Sequence, residues 1–131
     1  LGARTMNEKK VISIEIDDLK RIYNYALSHC REVCPEKRDP DTCIVIVEIG
    51  KLLGISPPCV EDYGGFSEKT FKELIKEIEN RRGKTIDQVL EEIRDKGYRS
   101  LQDQIDEMDG QFALDVLKAY EKRKRKEEKG E

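Results

Sequence analysis

The chain has 131 residues, a formal net charge of −3, and 40% charged against 37% hydrophobic residues, which suits one domain with a modest core and is marginal for two. No net positive field draws it to a polyanion or a membrane surface, and no apolar run approaches the ~20 residues of a membrane span. Its apolar residues recur in ordered stripes, a feature a disordered chain lacks.

The first ten residues, LGARTMNEKK, hold no apolar signal core, so a flexible segment over 1–10 and a cytoplasmic protein are expected. Lys and Glu dominate the charge and side-chain amides are scarce, the balance of a hyperthermophile protein. VISIEI at 11–16 alternates, with Ile12, Ile14 and Ile16 on one side, which predicts a short strand or an extended arm. Asp17 or Asp18 can cap the helix that follows. Its apolar face is Leu19, Ile22, Tyr23, Ala26, Leu27, Cys30, Val33 and Cys34, and Pro35 marks its stop.

PEKRDPD at 35–41 reads as a loop, after which Asp41 or Thr42 can cap CIVIVEIGKLL. That β-branched run fits a buried strand or a buried helix. Leu52 and Leu53 extend it, and Gly54 stands where a helix end wants a left-handed residue, which predicts a helix. A third long helix opens at Ser67, with Phe66 and Phe71 placed as a hydrophobic staple. Thr85 and Gln88 form a capping box for the next, with Ile86, Val89, Leu90 and Ile93 inward. Ser100 caps the last, whose stripe is Leu101, Ile105, Met108, Phe112, Val116 and Ala119, with a kink or split expected at Gly110. Beyond Tyr120 the stripe disappears and fraying is expected.

The fold predicted is all-α, about five orthogonal or bundled helices with a short N-terminal strand or arm. Residues 11–120 form one helical domain, with halves 16–65 and 66–120, followed by a charged tail over 121–131.

Within IVEIGKLLGISPPCVEDY at 46–63, a small residue, Gly50, stands where two helices would cross, and Gly54 follows at the turn. Ile49, Leu53, Ile55 and Val60 are the apolar locks, and Ser56 is placed to cap a second helix opening at Pro57. This segment resembles the helix-turn-helix motif, and the resemblance implies a tri-helical first half and a DNA-binding regulator. The charges point elsewhere. Lys51 is the one base against Glu48, Glu61 and Asp62, and carboxylates facing phosphate repel it. A second route to phosphate is the run Lys122, Arg123, Lys124, Arg125 and Lys126, which otherwise reads as a solvated helix end.

Four cysteines occur, at 30, 34, 43 and 59. Cys30 and Cys34 lie one helical turn apart, Cys43 begins the next element, and Cys59 follows in the turn after it. Disulfides come first in this reading, free thiols second and a metal last, because no tight C-x₂-C pair is present. Four cysteines allow three pairings, and the spacing chooses none.

The single histidine, His29, cannot build a two-imidazole site. Arg82-Gly83-Lys84-Thr85 lacks the upstream glycine of a phosphate loop, since Ile78 holds that position. Asp106-Glu107 and Glu91-Glu92 read as solvated surface, with surface pairs Glu77–Arg81 and Glu92–Lys96. No enzyme, cofactor or metal is expected. The function predicted is a protein–protein interaction module, a homodimer or a binder of a helical partner through Leu101–Tyr120. The helix-turn-helix DNA regulator is the alternative.

Overall fold

The computed structural model describes residues 10–34 and 37–130, and among these residues it contains six α-helices and no strand. They are α1 (Ile16–Val33), α2 (Pro40–Leu53), α3 (Pro58–Asp62), α4 (Glu68–Arg82), α5 (Ile86–Lys96) and α6 (Leu101–Gly130). Helix α6 is the spine. Helices α2, α4 and α5 each pack on it, α5 also meets α4, and α1 packs on α2.

Local chemistry sets most of the boundaries. Ser67 accepts the Thr70 N–H, and the Phe66 and Phe71 rings meet edge to face at 4.8 Å, so the staple that opens α4 is formed. Both halves of the Thr85–Gln88 capping box are present at α5. Ser100 Oγ accepts the Asp103 N–H at the start of α6. Gly54 ends α2 with φ 73°, the left-handed corner that a Cβ disfavours. The β-branched run of α2 is helical because burial outweighs its weak strand preference. Ile44 and Val47 join Phe66, Phe71, Phe112, Ala113 and Val116 in one core. Ile78, Ile86, Val89, Leu90 and Ile93 form a second, under α5.

Several expectations are corrected. Residues 11–15 are coil, with Val11 and Ile12 almost fully exposed. Alternation makes a strand only where another strand completes its hydrogen bonds, and none is present among the described residues. Helix α1 starts at Ile16, with Glu15 rather than Asp17 or Asp18 at its cap. Asp39 and Pro40, not Asp41 or Thr42, open α2. The flexible segment expected over 1–10 lies, apart from Lys10, outside the described residues, as do Pro35 and Glu131. A sixth helix, α3, stands where the helix-turn-helix resemblance places a second helix, but it opens at Pro58 and ends at Asp62. Gly110 does not split α6. A Cβ there would sit 2.9 Å from Ile86 Cδ1, so the glycine is the seat of α5 on α6. The tail continues α6 to Gly130, with Lys122 3.6 Å from Asp41 and Lys124 2.6 Å from Glu68.

The largest correction is Asp106, which is 1% exposed rather than on the surface. Its Oδ2 accepts from Arg81 Nη1 at 2.7 Å and from Arg82 Nε at 2.6 Å, and its Oδ1 accepts from Gln102 at 2.8 Å. Arg82 also donates to Asp103 at 2.8 Å. Arg81 is thus bound to α6 rather than paired along its own helix with Glu77, and Glu92 binds Lys84 rather than Lys96. Burial alone would raise the Asp106 carboxyl, but the hydrogen bonds from Arg81, Gln102 and Arg82 hold it below its ordinary 3.8.

A folded-state pKa below the unfolded one stabilises the fold above the unfolded value, and that contribution fades as pH falls through the folded value. Asp106→Asn should therefore cost about 2–3 kcal/mol in urea unfolding near neutral pH, a buried pair broken with its guanidinium partners partly hydrated. It should also flatten the loss of stability below pH 3.8. Equal acid sensitivity in both proteins would remove this role.

Candidate functional site

Helix α1 is amphipathic, yet of its 18 residues only Tyr23 is buried. Tyr23 donates from its hydroxyl to the Ile46 carbonyl at 2.8 Å and fills the space over Gly50. A Cβ on Gly50 would meet the Tyr23 hydroxyl and the Ile55 carbonyl oxygen, both at 2.5 Å. One anchor thus holds α1 to α2, and past it the C-terminal half of α1 stands over open space.

That space is a groove of about 640 Å³. Leu27, Cys30 and Cys34 form the α1 wall, and Met108, Asp109 and Phe112 form the α6 wall. Phe66 and Leu74 line it from the start of α4, and Pro57, Pro58 and Cys59 from the corner after α2. A volume between about 300 and 1,000 Å³ with mostly apolar walls is the usual form of a binding site. Arg38, from the loop before α2, lies over Phe112 at 3.4 Å and near Tyr63 at 5.8 Å. Its charge rests against the ring faces, a favourable seat for a guanidinium. Burial pushes the Asp109 carboxyl upward and the Arg38 charge pulls it back.

All four cysteines line this one groove, and all four are free. The expected disulfides are not present: Cys30 and Cys34 stand together on the α1 wall, while Cys43 lines the groove from α2 and Cys59 from α3. Among the described residues no three His, Cys, Asp or Glu side chains stand close enough to hold a metal. Burial pushes the Cys43 thiol up to about 12, helped by Cys34 and Cys59 and opposed by Arg38. Cys30 and Cys59 are raised for the same leading reason. These three are protonated at neutral pH and are poor nucleophiles, since reactivity belongs to the thiolate. The groove's chemistry is that of an apolar receptor with charged rims.

The residues expected to contact DNA are not brought together. Lys51 sits in the last turn of α2, 3.6 Å from Glu48. Lys122 lies beside Asp41 in the first turn of that helix, so the two basic features are about 15 Å apart along α2. Ser56 does not cap α3. The cap position is Pro57, which has no side-chain oxygen. The corner itself has the small Gly50 at the close approach and the left-handed Gly54, but α3 is only five residues long. Arg38, Met108 and Asp109 as groove residues had no sequence signal. Arg38 falls in an irregular loop, and Met108 reads as one more member of an inward stripe.

A folded-state thiol pKa above the unfolded value stabilises the fold at lower pH, and that stability is lost as pH rises from the unfolded value towards the folded one. Unfolding free energy should therefore fall as pH is raised above 9. Cys43→Ala should fall less steeply over the same range in denaturant titrations. Identical slopes would mean that Cys43 ionises as freely in the folded protein as in the unfolded one.

No family model, no curated protein and no solved structure matches this chain.

Proposed function

We propose that the protein is a helical interaction module that associates with a second copy of itself or with another helical protein, and carries out no catalysis. The observation behind this reading is the apolar surface its own fold leaves uncovered. On α6 the inner part of the stripe is used internally, with Phe112, Ala113, Val116 and Ala119 buried. The first two turns are not. Leu101 is 70% exposed, Ile105 37% and Met108 41%, with Tyr98 beside them at 55%. Met108 continues that stripe into the groove, where the uncovered face of α1 begins. A continuous apolar face of this kind on a chain with this much charge marks an association surface.

The alternative is a DNA regulator, favoured by the Gly50–Gly54 corner. Against it stand the brevity of α3, the acids Glu61 and Asp62 at its end, and a tail in which Lys122 and Lys124 already meet carboxylates.

Light scattering on the full chain should give a mass above the 15.2 kDa monomer. Ile105→Glu should weaken that association by about tenfold or more without changing the melting temperature, because the residue lies at the rim. A monomer that captures no helical partner would end the interaction reading. Gel shifts with random duplex DNA at two salt concentrations should show no retarded species. Retardation that fades steeply with salt would move the function to DNA.

A further inference from the structure

Two features have no counterpart among the described residues, and they are complementary. One is the groove. The other is the arm ahead of α1, where Val11 and Ile12 are 93% and 83% exposed and Ile14 and Ile16 are also exposed. Resting on the interaction reading above, we propose that the arm of a second copy occupies this groove. Two chains thereby exchange their 11–16 segments in a symmetric dimer.

Reach separates a second copy from the chain's own arm. Five residues from Ile16 back to Val11 span at most about 17 Å when extended. Along α1, Leu27 lies about 16 Å and Cys34 about 27 Å from Ile16. Folded back on its own helix, the arm brings only Val11 to the near end of the groove, leaving Ile12, Ile14 and Ile16 short of it. An arm from a second molecule has no such tether. Charge fits as well. Lys10 precedes the apolar residues, and Glu15, Asp17 and Asp18 follow. The groove lining carries both signs, Arg31 and Arg38 with Asp62, Glu77 and Asp109. Apolar side chains enter the cavity while charges of opposite sign meet at its rims. The exchange is isologous, so the contact closes on itself and stops at two chains.

The groove carries its own reporter in Cys34, which is exposed in the single chain and stands on the groove wall. Maleimide labelling of Cys34 in the full-length protein is to be followed by mass spectrometry, alongside light scattering, from about 1 µM to about 200 µM protein. The expected result is a dimer at high concentration in which Cys34 labels at least about tenfold more slowly, as mass action fills the groove. The double variant Ile12→Lys/Ile14→Lys should remain monomeric over that range, with Cys34 labelled rapidly. Both substitutions fall on exposed coil, and circular dichroism checks that the helices are retained. A dimer that persists in this variant, or one whose Cys34 stays open, overturns the exchanged arm. If that dimer is lost in Ile105→Glu, the interaction reading survives through the α6 stripe. A monomer with Cys34 open at every concentration also overturns the exchanged arm, and so does a monomer with Cys34 slow at every concentration, in which the groove is closed without a second chain.

Discussion

A buried carboxylate joins α4 to α6 and fixes how they meet. Asp106 is withdrawn from water and held by Arg81 and Arg82 from the last turn of α4. Sliding α4 along α6 by one turn, about 5.4 Å, would strand that charge without its guanidinium partners. The register is therefore set by a penalty on every alternative. With it set, Phe71 of α4 meets Phe112 of α6 at 5.7 Å, and Tyr63 stacks on Phe112 at 5.8 Å. The aromatic floor of the groove follows from this ionic contact about two turns away.

Where the fold was legible, the signals were local. The staple at Phe66 and Phe71, the capping box at Thr85 and the glycine at 54 each act within a few residues. The β-branched stretch of α2 was also resolved locally, by Leu52, Leu53 and Gly54 at its end. What was not legible depends on residues far apart in the chain. Asp106 beside Glu107 reads as a surface pair, and only the packing of α4 on α6 shows that the first points inward while the second faces Arg94 and Tyr98. Gly110 reads as a weak point in a helix, and only the approach of Ile86 shows it to be a seat.

The candidate site was visible in part. The cysteines attract attention by number and spacing, and they do converge on one cavity, yet as unlinked thiols. Spacing along a chain places residues on a face but does not give the width of the gap between two faces. The apolar stripe of α6 was likewise correct as a periodicity and ambiguous as a surface. Its second half lines the core and its first two turns face water.

The dependence of α2 on α6 also has a consequence for how the molecule is made. Ile44 and Val47 are covered in part by Phe112 and Val116 from later in the chain. During synthesis the first half emerges before its cover exists, whereas α4, α5 and α6 meet one another over shorter separations. The C-terminal three helices can assemble as a unit, and α2 docks on them afterwards. Until then the most apolar helix of the protein is exposed. A first half made before its cover would hold that apolar helix in water, the condition under which a growing chain aggregates.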